Sequence, residues 1–260
     1  MIRSTDNVPP RPIHLPDLIG GTAVVTGASR GIGAAVVAAL CAHEVRCYGI
    51  AHESFGDQHD PHLVPVICDL HDPNALDSVI SRIMQESGKL DYVVNVAGID
   101  PKVRLEAGDA DVWDSIVDLN LRAYYLVIRA CAPLLHAGRG KSIVNVSSIN
   151  YRLGVVGRSI YSSTKAGILG LTTGLARELG AQGIRINTVT PGWVFTERQI
   201  QEYFAAEDAD KYFATLDDRQ SLALRIQPQD IANHILFYLS EVSRASTGHN
   251  CVVDAGWILE

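Results

Sequence analysis

Tyr161 and Lys165 stand four residues apart in SIYSSTKAG, a spacing that puts a phenol and an ammonium on one face of a helix. Moving hydride off an alcohol carbon requires a base for the hydroxyl proton, and the reverse reaction requires an acid. Free tyrosine, with a pKa near ~10, is a poor base at neutral pH. A neighbouring ammonium favours the phenolate and draws that pKa towards the working range. Upstream, Ser148 ends the run IVNV, where its hydroxyl can meet a substrate oxygen; Ser147 competes for that role. Asn120 interrupts a helical pattern in DLNLRAYY, a mildly unfavourable place for an amide. A kinked helix holding a water for proton relay through Lys165 would account for it. The plainer readings are an ordinary helix pair and a surface Asn.

A second constellation is Thr26-Gly27-Ala28-Ser29-Arg30-Gly31-Ile32-Gly33, directly after an apolar run. Gly27 allows a sharp turn, while Gly31 and Gly33 keep side chains away from a pyrophosphate and from the helix–strand contact. A helix beginning near Gly31 points free N–H groups at the phosphates. At the end of the second strand, Ala51 and His52 offer no carboxylate for ribose hydroxyls, although Glu53 lies nearby. Arg30, and His52 when protonated, could face an adenosine 2′-phosphate, so NADP(H) is favoured over NAD(H). Asp69 could contact the adenine or simply cap a helix. Asn95, Ala97 and Gly98 end another strand with small residues that let main chain pass close to the adenosine and its ribose. Pro191 and Gly192 turn the chain near the nicotinamide, Thr196 could bond its carboxamide or a phosphate, and Lys165 should bind its ribose.

These residues need a scaffold, and the chain alternates apolar strands with amphipathic stretches. Strands are expected at 22–26, 45–50, 63–68, 92–96, 142–146 and 185–189. Helices are expected at 33–43, 73–86 and 161–179, with one long or two abutting helices over 111–135. Buried Val- and Ile-rich runs separated by helices are what a parallel sheet covered on both faces requires. Residues 194–224 break the rhythm: polar and aromatic, with two helical patterns, they are expected to form a lid over the sheet's carboxyl edge, where open α/β sheets bind ligands. A helical hairpin without a ligand role is the alternative. Residues 1–19 form a Pro-rich N-terminal extension, and 20–258 one catalytic domain.

Composition narrows the partners. The net charge is −7 and no dense Lys/Arg run occurs, which argues against a nucleic-acid surface. Five scattered cysteines read as buried thiols of a reducing compartment; none has metal-ligand spacing, and no metal is expected. There is no apolar run of transmembrane length and no signal-peptide-like start, so the cytoplasm is the default location and no membrane partner is expected.

The motifs TGASRGIG, NVAG, DLNL, NVSS, YSSTK and PGWV together resemble the classical short-chain dehydrogenase/reductase family over about residues 20–258. The resemblance implies a doubly wound Rossmann-type α/β domain with a seven-stranded parallel sheet flanked by helices. It implies that Ser148, Tyr161 and Lys165 form the catalytic triad with Asn120 as its fourth member. It adds Ser29, Ile32, Leu70 and Val194 to the cofactor contacts already named, and it implies a homotetramer with the last strand at an interface. Val96 departs from the family's usual Asn-Asn-Ala-Gly. The segments SSINYRLG, PGWVFTERQ and DAGW are most similar to the sugar-dehydrogenase branch, which acts on aldoses, polyols and sugar acids. Its small-molecule substrate would meet Asn150, Arg152, Trp193 and Arg198, with Glu197 and Gln199 nearby. The alternative is a 3-oxoacyl-(acyl-carrier-protein) reductase, which Arg30 and the AHES segment resemble; the negative balance gives little basic surface for an acidic carrier. A non-catalytic cofactor-binding protein is remote, because the Ser, Tyr and Lys positions are intact.

Overall fold

Every residue of TAVVT (Thr22–Thr26) and SIVNV (Ser142–Val146) is buried, as strands inside a two-sided sheet must be. The computed structural model describes residues 10–56, 58–205 and 209–259. Residues 1–9 of the expected extension and 206–208 of the expected lid lie outside the described residues. The strands are β1 (Thr22–Thr26), β2 (Arg46–Ala51), β3 (Leu63–Ile67), β4 (Tyr92–Asn95), β5 (Ser142–Val146), β6 (Arg185–Pro191) and β7 (Asn250–Val253). They form one all-parallel sheet in the order β3-β2-β1-β4-β5-β6-β7. The fold is therefore the expected doubly wound α/β sheet. Strand order reverses between β1 and β4, so the loops leaving these two strands part and open a crevice at the carboxyl edge.

Two cores cover the faces. On one, α1 (Gly31–Cys41) and α9 (Pro228–Leu239) pack Val36, Leu40, Ile231 and Ile235 against the sheet. On the other, α2 (Pro73–Ser87), α4 (Ala123–Ala137) and α6 (Ser159–Gly180) bring Ile83, Val127, Leu134 and Leu179. Helix α2 is closed by an Asp72 N-cap, a Pro at its start and left-handed Gly88, the punctuation expected of an isolated helix. Helix α9 went unread in the sequence, although its Gln227–Asp230 capping box and leading proline mark it.

The run expected as one or two helices over 111–135 is continuous. Helix α3 (Ala110–Val117) passes through a π turn, Asp118–Arg122, into α4. A π turn inserts one residue and loosens the ladder, and such turns gather at functional sites. The N-terminal extension packs down where it is described. Leu15 and Leu18 enter the core, and the Leu15 N–H donates to His43 Nε2 at 3.0 Å. The segment over the carboxyl edge consists of α7 (Glu197–Gln199), a π turn (Ile200–Phe204) and α8 (Ala209–Arg219). The short helix α5 (Asn150–Leu153) follows β5. No helix among the described residues is long and apolar enough to cross a membrane.

Candidate active site

Two cavities meet above the carboxyl edge, one of about 440 Å³ and one of about 670 Å³, both within the size range of ligand pockets. They share Ile32, Val96, Gly98, Ile99, Thr196 and Arg198 as a common wall, so they are two ends of one cleft. Tyr161, Lys165 and Ser148 line the smaller end, and the glycine turn lines the larger.

At the larger end the wall is main chain. A Cβ on Gly33 would sit 2.0 Å from the Gly27 carbonyl oxygen, and one on Gly27 (φ +65°) would sit 2.9 Å from Ala97 N. No side chain fits at either position. Arg30 is the N-cap of α1 but makes no side-chain cap, so the first-turn N–H groups stand without a side-chain acceptor. Such a turn suits a pyrophosphate. Ser29, Gly31 and Ile32 line the same wall, as do His52, Asp69, Leu70, Ala97 and Gly98. Asp69 accepts the His71 N–H at 2.9 Å and meets its ring at 2.8 Å; these bonds hold its carboxyl below the usual range. The residues present therefore fit a dinucleotide. Glu53 stands at this end too, accepting from Ser29 Oγ at 3.0 Å and pairing with Arg30 Nε at 3.2 Å.

Asn95 does not reach the cleft. It is fully buried at the end of β4 and donates to Asn145 Oδ1 at 2.9 Å, so it ties β4 to β5 rather than touching a ligand. The close approach at this strand end comes from Val96, Ala97 and Gly98. The N–H groups of Val96 and Ala97 both donate to Thr26 Oγ1, at 3.1 and 3.2 Å. Pro191, Gly192 and Val194 line the smaller end. Thr196 caps α7 by accepting the Gln199 N–H at 3.3 Å.

The chemical groups sit where β5 and α6 converge. Lys165 is buried and its Nζ donates to the Val146 carbonyl at 3.1 Å. Burial draws its pKa down to about 8, against the opposing pull of Asp100. Burial pushes the Tyr161 phenol up to about 12, while a hydrogen bond from Ser148 and the charges of Arg158 and Arg198 act to lower it. This departs from the expected lysine-lowered phenol: Lys165 Nζ lies 5.7 Å from the Tyr161 ring centre, and the cations that act to lower the phenol are Arg158 and Arg198. At neutral pH this phenol is thus an acid, with an ammonium that can titrate nearby. Ser147 is spent on structure, donating to the Lys165 carbonyl at 2.8 Å. That leaves Ser148 as the hydroxyl beside the phenol.

Asn120 lies in the π turn, fully buried. Its Oδ1 accepts the Ile99 N–H at 2.8 Å and its amide donates to the Ile99 carbonyl at 2.8 Å. The irregularity expected in this helix takes the form of a π turn. The Asn120 amide also donates to Thr164 Oγ1 at 3.3 Å, so the side chain braces the loop after β4 against α6.

Of the expected substrate contacts, Asn150, Trp193 and Arg198 line the smaller end. Arg152 is exposed on α5 and does not line it. Trp193 anchors an aromatic wall, with Tyr203 and Tyr212 edge-on at 5.4 and 5.7 Å and Trp257 tilted at 6.3 Å. Three charged residues of this wall, Arg158, Asp100 and Lys102, went unread in the sequence. Arg158, one helical turn before Tyr161, is 6% exposed, and Asp100 stands after the Ala-Gly of β4's loop. The i, i+3 spacing of Arg158 and Tyr161 was the available signal for the first.

A model of the family described as enoyl-(acyl carrier protein) reductase matches residues 27–258 of the chain. D-xylose 1-dehydrogenase of Caulobacter vibrioides is 35% identical over 250 residues, covering 93% of this chain and 97% of the relative. The probable galactose dehydrogenase of Rhizobium meliloti is 32% identical, with 94% and 97% covered. Among solved structures, the ligand-free aldohexose dehydrogenase of Thermoplasma acidophilum superposes with a TM-score of 0.87 at 26% identity, covering 94% of this chain and 96% of that one.

Proposed function

The chain belongs to the family of that matching model and is a classical short-chain dehydrogenase/reductase related to sugar dehydrogenases; from that premise we propose that it exchanges hydride between a nicotinamide cofactor and a hydroxyl or carbonyl carbon of a sugar, polyol or sugar acid. The observation that carries this reading is the Tyr161 phenol, hydrogen-bonded by Ser148, at the junction of a glycine-walled cavity and an aromatic-walled one. The Ser148 hydroxyl and the phenol hold the reacting oxygen. In reduction the phenol donates the proton and Lys165 stabilises the resulting phenolate; in oxidation that phenolate takes the hydroxyl proton and returns to the phenol. Gly27, Gly31, Gly33 and the α1 N-terminus would hold a dinucleotide, which supplies the hydride chemistry when bound. Trp193 and Tyr203 offer flat faces with polar edges, a surface that suits a ring bearing hydroxyls.

We infer NADP(H) over NAD(H). Ala51 ends β2 without a carboxylate, and Arg30 and exposed His52 face the adenosine end. Glu53 holds Arg30, so a 2′-phosphate has to win that guanidinium from it. A homotetramer and a cytoplasmic location complete the reading. The exposed Trp113, Tyr125 and Phe237 give subunits something to bury, and the five unpaired thiols fit a reducing compartment. Light scattering on the purified protein checks the assembly.

The test is a screen of aldoses, polyols, sugar acids and oxoacyl thioesters with both cofactors, read at the absorbance of reduced nicotinamide. Turnover of polyhydroxylated compounds is expected. Thioester reduction with no activity on any of them would overturn the reading.

A further inference from the structure

Among the charged side chains lining the aromatic-walled cavity, one is acidic, Asp100. Four are basic: Lys102, Arg158, Lys165 and Arg198. The chain as a whole carries −7, so this local surplus of cations runs against its overall balance. Glu202 offsets Arg198 from outside the cavity at 3.4 Å, and the surplus survives that pairing.

Arg158 is the least comfortable of these groups. A buried guanidinium is costly unless its donors are answered. Its Nη2 donates to Tyr203 Oη at 3.3 Å. Its Nη1 is enclosed and has no hydrogen-bond acceptor, although Asp100 Oδ2 lies 3.3 Å away as a charge. Asp100 gives its shorter contact, 2.5 Å, to Arg198. Two guanidiniums thus share one carboxylate, and Arg158 has the poorer share. Its Cζ is 6.0 Å from the centre of the Tyr161 ring, within reach of one small molecule held at the phenol.

A neutral sugar offers hydroxyls, which do not offset a surplus cation; a carboxylate does, through the paired acceptors that match a guanidinium. Phosphates at the glycine turn do not explain the whole surplus: Arg198 lines both cavities, but Arg158 and Lys102 line only the aromatic one. We propose that the substrate bears a carboxylate away from its reacting carbon and that Arg158 binds it, so that the enzyme acts on a polyhydroxy acid rather than a neutral sugar. This rests on the proposed function and narrows it. The ligand carboxylate takes the side of Arg158 that Asp100 now faces, leaving Asp100 to Arg198. Lys102, stacked 4.7 Å over the Tyr203 ring, adds attraction at the entrance.

The experiment compares kcat/KM for three compounds on one carbon skeleton: the sugar acid, its neutral parent and its phosphate ester. The acid is expected to be favoured about 100-fold over the parent, the scale of discrimination that a charge-assisted pair supports. Arg158→Gln is expected to shrink that ratio to below about tenfold, mainly through KM, with Arg158→Lys in between. Equal or better use of the neutral parent overturns the inference while leaving the proposed function standing. So does a preference for the phosphate ester, or an Arg158→Gln loss that leaves the ratio unchanged. Activity on thioesters alone overturns both. Should Arg158→Gln fail to fold, inhibition of the unaltered enzyme decides. Glycolate is expected to compete with substrate at least about tenfold more tightly than glycolamide, and equal inhibition by the two contradicts the inference.

Discussion

At the glycine turn the cleft is bounded by main chain, with Gly27 packed against Ala97 and Gly33 against the Gly27 carbonyl. At its other end the cleft is bounded by side chains from five separate stretches: Asp100, Asn150, Arg158, Trp193 and Tyr203. The first end makes its contacts with N–H groups and a helix terminus, which every sequence carries once the turn is possible. The second makes them with rings and charges that differ from one position to the next. One end can therefore serve a common cofactor, while the other sets which substrate is used.

The sharpest way to break this contrast is at the boundary, where both ends depend on one phenol. Tyr161→Phe should lower kcat by about 10³-fold without changing the thermal midpoint, measured by steady-state kinetics beside calorimetry. Near-normal turnover would remove the phenol from the chemistry. On the main-chain side, Gly33→Ala places a Cβ 2.0 Å from the Gly27 carbonyl. It should cost about 3 kcal/mol of stability and most of the cofactor affinity, read by denaturant unfolding and by fluorescence titration.

Lys165 tests the same boundary through stability. Its folded pKa, about 8, lies below the ordinary 10.5, so the unfolded chain holds the extra proton between these values and stability rises with pH across that window. Below pH 8 a buried ammonium destabilises the fold. Lys165→Met should therefore stabilise the cofactor-free protein at pH 7 by about 1–3 kcal/mol while removing activity. The stability gain should shrink as pH climbs from 8 to 10.5. Tyr161 acts in the opposite sense: its raised pKa, about 12, gives stability that is present below pH 10 and lost above it.

On the side-chain side a substitution should alter selectivity more than folding. Trp193→Ala should raise KM for a sugar substrate about tenfold, the scale of one lost aromatic contact, with a small shift in thermal midpoint. The smallest effect is expected at Glu53. Glu53→Gln frees Arg30 and should move the NADP/NAD ratio of kcat/KM towards NADP by about threefold, as befits a half-exposed ion pair.

The same contrast explains what could be read from the chain. Gly27, Gly31 and Gly33 announce themselves because only one residue type fits, and the buried strand runs announce the sheet. Tyr161, Lys165 and Ser148 were legible because chemistry needs those types at a helical spacing. Arg158 and Asp100 were not, because each belongs to a common residue type and their meeting depends on the loop after β4 folding onto the start of α6. Asn95 was assigned to the cofactor because it neighbours Gly98. Strand alternation turns its side chain towards Asn145 instead. Tyr161's raised pKa was hidden for a related reason: the motif gives the lysine, while the tertiary packing gives the desolvation.

The most direct test of the account is the fate of one deuterium. With a sugar or sugar acid deuterated at the reacting carbon, NMR of the recovered cofactor should show the label on the nicotinamide ring, in step with product. Product formed without label on the ring, or label found in solvent, would contradict hydride transfer at this phenol.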